Sequence, residues 1–234
     1  MIKVGIDPGH GGSDSGAVGV RGYREKDIVL SIAKEVESHL KQNSIKTVMT
    51  RTEDKYVSLN ERTRILNDSK VDICLSIHAN ASTNRDADYI STFIYTARGE
   101  AESLAYLIQK EMVNELGWQD GGVRIKNLHI LRETNMPAIL LECGFITNLK
   151  QERKLIQQDT KKNLAKAMVA GILSHYNLAQ NTKPQNSDLP SNNKDEINQK
   201  IKEFENNLLN KKRETAEKNE TIKRILNLAE KSLQ

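Results

Sequence analysis

The sequence is poor in rings: of 234 residues, one is Trp, three are Phe and six are Tyr. A stacking platform for single-stranded nucleic acid needs several aromatic faces along a basic groove, so nucleic-acid binding is not expected. Cysteine is almost missing. Cys74 and Cys143 cannot build a disulfide framework, and each sits in an apolar, strand-like run, as a buried thiol does. No apolar stretch approaches the ~18 residues of a membrane span, and the mean hydropathy is −0.60, so a transmembrane chain is excluded. An excess of one charge is also lacking. Thirty-five Lys and Arg face 31 Asp and Glu, interleaved along the chain, for a net charge of +4. That field is weak, but it favours approach to a polyanionic surface. The N-terminal residues Met1–Ile6 read as a strand, with no basic n-region, apolar h-region or small-residue cleavage site. The expectation is synthesis in the cytoplasm without a signal peptide.

Hydrophobic residues make up 37% of the chain, a little under the globular norm, so part of it is expected to lie outside any core. The pattern divides it into a body, residues 1–178, a polar linker, residues 179–193, and a tail, residues 194–234. In the body, strands are predicted at Ile2–Ile6, Ile45–Thr50, Val71–His78, Tyr89–Thr96, Leu128–Leu131 and Ala138–Glu142, several of them continuous apolar runs. Helices are predicted at Lys26–Gln42, Leu59–Asp68, Glu100–Leu116 and Leu149–Tyr176. In the first, Ile28, Val29, Ile32, Ala33, Val36 and Leu40 share one side at helical spacing. Strands alternating with helices make an α/β domain with a largely parallel sheet of about six strands. The linker contains Pro184 and Pro190 and one large apolar residue. The tail has no Gly or Pro. Ile197, Ile201, Phe204 and Leu208 start a helical stripe that turns polar at Lys211, Thr215 and Lys218 and resumes at Ile222, Ile225 and Ala229. It reads as an all-α C-terminal appendage, one helix or a hairpin, whose stripe needs the body, a second copy or a partner to cover it.

Four side chains in the body could carry chemistry. His10 lies in Asp7-Pro8-Gly9-His10-Gly11-Gly12, just past the first strand. The glycines permit unusual backbone angles and close approach of a ligand, but there is no Gly-Lys-Ser/Thr ending, so a phosphate loop is poorly supported. A satisfied loop histidine fits equally well. His78 and Glu142 each close an apolar run, where ligands gather in open α/β sheets. A carboxylate in Glu142's position is desolvated and must pair with a cation, bind a metal or take a proton. Glu25 begins the first helix, where its charge also suits the helix dipole. Two imidazoles and a carboxylate form a common catalytic zinc set, with a second carboxylate left as general base. The sequence separations, however, match no local metal motif, and spacing alone leaves the zinc and structural readings open.

The run Asp7–Gly12 through Glu25-Lys26, then Ser76-Ile77-His78-Ala79-Asn80-Ala81, then Leu131–Asn148 resembles the zinc-dependent N-acetylmuramoyl-L-alanine amidases of the amidase 3 type, as does Thr50-Arg51-Thr52 with Leu59-Asn60-Glu61-Arg62. The resemblance covers roughly residues 1–177 and leaves the tail out. It implies a twisted, mainly parallel sheet flanked by helices, Zn2+ held by His10, Glu25 and His78, and Glu142 as the catalytic glutamate. The implied reaction is hydrolysis of the amide between N-acetylmuramic acid and L-alanine in peptidoglycan. His39, His129 and His175 match no site of the family and read as structural or surface residues. His129 is expected in a strand.

A body, linker and small C-terminal module suggest a phage or prophage endolysin that reaches the cell wall after holin-dependent release or lysis. A mother-cell autolysin of the same chemistry, a zinc peptidase of the stem peptide and a non-catalytic wall-binding module are the alternatives. The tail, residues 194–234, would bind an anionic wall polymer or join copies into a homo-oligomer with raised avidity.

Overall fold

The computed structural model describes residues 2–178; the linker and the helical module expected at 179–234 lie outside the described residues. Six strands, β1 (Lys3–Pro8), β2 (Lys46–Met49), β3 (Ile73–Asn80), β4 (Tyr89–Ile94), β5 (Gln119–Ile125) and β6 (Ala138–Phe145), form one sheet in the order β2-β1-β3-β6-β4-β5. All neighbours pair in parallel except β4 and β6, which run antiparallel. Among the described residues the helices are α1 (Glu25–Gln42), α2 (Leu59–Asp68), α3 (Glu100–Leu116), α4 (His129–Arg132), α5 (Leu149–Leu155) and α6 (Gln158–His175). The α/β class and the mostly parallel sheet expected from the sequence are present.

Strand alternation builds two cores. Val4 and Ile6 of β1, Leu75 and Ile77 of β3, Ile90 and Ile94 of β4, and Ile139, Leu141 and Cys143 of β6 belong to the larger one, together with the apolar stripes of α1, α3 and α6. On the other face Cys74, Phe93, Ala138 and Leu140 meet Leu66 of α2 and Ile130 and Leu131 of α4. The α1 stripe is the one its spacing predicts: Ile28, Val29, Ile32, Ala33, Val36 and Leu40 are all buried.

Three expectations need correction. Leu128–Leu131 is not a strand: His129–Arg132 forms the short helix α4, capped by Leu128. A four-residue apolar run has no period long enough to separate the two states. Ile130 and Leu131 are buried side by side, which a helix face allows and strand alternation on one covered face does not. His129 is therefore helical. Strand β5 was not expected. Its sequence, Gln119-Asp-Gly-Gly-Val-Arg-Ile, is polar because it is the sheet's outer strand, with no residue fully buried. The last helix divides into α5 and α6 where Gln157 takes extended angles (φ −75°, ψ 136°).

Buried charge closes the carboxyl edge of β1. Asp7 Oδ1 accepts hydrogen bonds from Arg62 Nη1 (2.7 Å) and Thr50 Oγ1 (2.6 Å), and Oδ2 accepts from Ser76 Oγ (2.8 Å). Burial alone would raise the Asp7 pKa, but the Arg62 charge and the Thr50 and Arg62 hydrogen bonds override it and hold the carboxyl below its usual value. A depressed native pKa gives stability that is present above the unfolded-state value of about 4 and is lost as pH falls through the native one. Arg62→Ala leaves Asp7 charged, buried and unpaired. It should cost about 3–5 kcal/mol at pH 7. Urea unfolding of wild type and variant at pH 7 and near pH 3 should show that gap narrowing in acid; a gap independent of pH would show that the pair is not its source.

Candidate metal centre and active site

The glycine loop after β1 is held from below by two arginines. Arg51 donates through Nε to Pro8 O (3.0 Å) and through Nη2 to Gly9 O (2.7 Å) and Lys26 O (2.9 Å). Arg62 donates through Nη1 to Pro8 O (2.6 Å) and through Nη2 to His10 O (2.5 Å). With its neighbouring carbonyls fixed, His10 sits at φ 58°, a left-handed conformation that costs a non-glycine residue unless its surroundings impose it. The strained angle aims the imidazole across the end of the sheet. Gly9 must be glycine for a different reason: a Cβ there would lie 2.3 Å from the His78 ring.

His78 arrives on β3, level with Glu142 on β6. Glu25 comes from the first turn of α1. Its Oε2 accepts from the Ala17 amide (2.9 Å), and its Oε1 accepts from the Ala79 amide (3.0 Å) and stands 3.0 Å from His78 Nδ1 and 3.2 Å from His10 Nε2. The two imidazole rings meet edge to face, centroids 5.0 Å apart. One ligand atom from each of His10, Glu25 and His78 lies within 4.8 Å of the others. Glu25 is nearly enclosed, at 5% side-chain exposure, whereas His10 and His78 keep 23% and 21%, so the cluster opens to solvent on the histidine side.

These donors suit a divalent ion such as zinc: two ring nitrogens and one carboxylate oxygen, converging, with room for a fourth ligand. The outer contacts suit it as well. His10 Nδ1 lies 2.9 Å from Asp14 Oδ2, which fixes the ring and directs Nε2 inward. Asp14 is not singled out by the sequence, where its position four residues after His10 gives no sign of this role. Without an ion, a proton on His10 offsets the neighbouring carboxylates, and a metal would take its place. Burial would lower the His10 pKa, but the hydrogen bonds and charges of Glu25 and Asp14 raise it to about 9. Burial would raise Glu25, and the two histidines instead hold it far below the usual carboxylate range.

Glu142 is shifted the opposite way. Its Oε2 is buried and has no hydrogen-bond partner among the described residues. Desolvation, with the Glu25 charge beside it, pushes its pKa up to about 7, against the opposing pull of His78, Lys126 and His10. The alternation that turns Glu142 to the His78 face puts Cys143 into the opposite core, where burial pushes the thiol up and keeps it inert. Of the remaining histidines, His39 lies on α1 and His175 on α6, both outside the cluster.

Asp14→Ala removes the partner that orients His10 and should weaken zinc binding by about 10–100-fold, measured by competition with a chromophoric chelator. An unchanged affinity would show that Asp14 does not orient the ligand.

The match to known proteins follows this geometry. Residues 4–174 match the N-acetylmuramoyl-L-alanine amidase family, Amidase_3. The chain is 38% identical over 173 residues to the N-acetylmuramoyl-L-alanine amidase LytC of Bacillus subtilis, covering 73% of this chain but 35% of LytC. It is 37% identical over 182 residues to the sporulation-specific N-acetylmuramoyl-L-alanine amidase of the same organism, covering 76% of this chain and 69% of the relative. Among solved structures, the catalytic domain of the amidase CwlV from Bacillus (Paenibacillus) polymyxa superposes with a TM-score of 0.73 at 36% identity, over 76% of this chain and all of that domain. Over a body whose sheet, loop and converging side chains are those just described, the chain belongs to the N-acetylmuramoyl-L-alanine amidase family.

Proposed function

We propose that the body hydrolyses the amide between the lactyl group of N-acetylmuramic acid and L-alanine in peptidoglycan. The observation that carries this reading is the pairing of two unlike carboxylates: Glu25 fixed as an anion between two imidazoles, and Glu142 half-buried, its Oε2 enclosed without a hydrogen-bond partner among the described residues and able to take a proton near neutrality. His10, Glu25 and His78 would hold the zinc ion. When bound, it supplies Lewis acidity toward the scissile carbonyl and the attacking water.

The protein's own part is proton traffic and placement. Glu142, ionised, accepts a proton from the water as its oxygen attacks the carbonyl carbon. It then returns that proton to the alanine nitrogen as the C–N bond breaks. The products are a lactyl carboxylate and a free L-alanine amine. The sheet fixes Glu142 level with His78, so the base and the ligand cluster keep one separation without a moving loop. Lying near 7 rather than near 4.5, Glu142 is a stronger base and a competent acid for the second step. Loading the neighbouring cluster with a divalent cation adds positive charge and draws that value down, so the acid limb of the rate profile should fall below 7.

Two relatives that match over most of this chain are named as amidases of Bacillus subtilis, one of them sporulation-specific. This supports an autolysin role beside the endolysin role suggested by the body, linker and tail. In either role the wall is reached by export or after lysis, and any grip on an anionic wall polymer or on a second copy would belong to residues 194–234.

Glu142→Gln should keep stoichiometric zinc and lose about 10²–10⁴-fold in turnover on purified walls. Labelling the new amino termini separates the chemistries. Alanine as the released terminus supports the amidase; any other residue points to a stem-peptide peptidase. Zinc-loaded wild type that releases no termini at all would leave a wall-binding module.

A further inference from the structure

Beside Glu142 the sheet continues into a strip of positive charge. On β4, Tyr89, Ser91 and Phe93 alternate onto the face that carries Glu142; Ser91 stands directly opposite Glu142, and Phe93 opposite Leu140. The Lys126 ammonium lies 4.1 Å from the centre of the Phe93 ring, and the Arg124 guanidinium 5.0 Å from that of Tyr89. Arg124 pairs in register with Phe93, and the Lys126 amide donates to Ile94 O (2.9 Å), so both backbones are tied to the sheet. Neither cation has an ion-pair partner among the described residues, and both side chains are exposed. Lys126 is nonetheless close enough for its charge to act on Glu142. An exposed lysine normally samples many rotamers. Here an aromatic face holds it in place, which keeps a localised positive charge on one flank of the site.

The distances suit a particular substrate group. Leu140 and Glu142 are two residues apart on one face, and Phe93, itself buried opposite Leu140, carries the Lys126 ammonium at its ring, so a group bound by that ammonium lies roughly 7 Å along the sheet from Glu142. In a stem peptide the second residue is a γ-linked glutamate whose α-carboxylate is free or amidated. One Cα–Cα step and the flanking bonds place that carboxyl group roughly 7 Å from the scissile carbonyl in an extended peptide. Building on the amidase reading, we propose that Lys126, with Arg124 beside it, binds the α-carboxylate of the second stem residue, so that the stem runs along β4 and the glycan leaves on the side of the His10 loop. The strip thereby makes the enzyme selective for stems with the free acid over the amidated isoglutamine form.

The test uses the full, zinc-loaded chain and two muropeptides that differ only in that group. Wild type should prefer the free acid in kcat/KM by about three- to fivefold, as expected for a partly exposed ion pair. Lys126→Arg should keep the preference, Lys126→Ala should abolish it, and Lys126→Glu should invert it. An NMR titration with the dipeptide L-Ala–γ-D-Glu, followed at the Lys126 amide, reads binding without turnover and should weaken in Lys126→Ala. A preference unchanged in Lys126→Ala, or equal rates on both substrates in wild type, overturns the assignment and leaves the amidase reading standing. Wild type that cleaves neither muropeptide and leaves the dipeptide titration flat overturns both.

Discussion

The buried guanidiniums of Arg51 and Arg62 are the constraint on which the site depends. Between them they occupy the carbonyls of Pro8, Gly9 and His10, and Arg62 also meets the Asp7 carboxylate. A loop rich in glycine has little conformational preference of its own. These bonds give it one, including the left-handed angle at His10. Lys26 adds a third cation on the far side, bridging Gly12 O (2.8 Å) and Asp54 Oδ2 (2.7 Å). The ligand histidine is therefore set by charges that never face the opening, and their desolvation is offset by hydrogen bonds to fixed carbonyls rather than by water.

Within the opening, burial does different work on two glutamates. Both lose water, which by itself raises a carboxylate pKa. Glu25 meets two imidazoles and two backbone amides and stays an anion. Glu142 meets no hydrogen-bond donor at Oε2 among the described residues, and the raised pKa survives. One chemical group is thus held as an anion or left with a raised pKa according to its neighbours. The register of β3 with β6 keeps the two roles adjacent.

Much of this was legible in the residues. His10, Glu25, His78 and Glu142, separated by up to 132 positions (142 − 10), could be nominated from their places near the limits of predicted elements, but their roles came from the family resemblance and not from spacing; the structure brings the first three within reach of one ion. Helices α2 and α3 have the predicted limits because their stripes are regular and their ends are marked, by Ser58 accepting the Glu61 amide and by Gly117 at φ 63°. What failed was short or solvent-facing. The run Leu128–Leu131 was too brief to show a period, and β5 is an edge strand whose polar residues carry no alternation. The roles of Asp7, Asp14, Arg51 and Arg62 were hidden for another reason. Asp7, Arg51 and Arg62 are charges whose partners are backbone carbonyls or distant side chains, and the Asp14–His10 pair, four residues apart, lies in a loop with no period to mark it.

The order in which these parts occur along the chain has a consequence for biogenesis. The three metal-coordinating candidates are complete once β3 has been synthesised, at Asn80, whereas Glu142 arrives with β6, 62 residues later (142 − 80). His10, Glu25 and His78 therefore leave the ribosome well before Glu142. The strand that bears Glu142 takes an inner place, between β3 and β4, so the β2-β1-β3 half of the sheet and the β4-β5 half are joined only when it arrives.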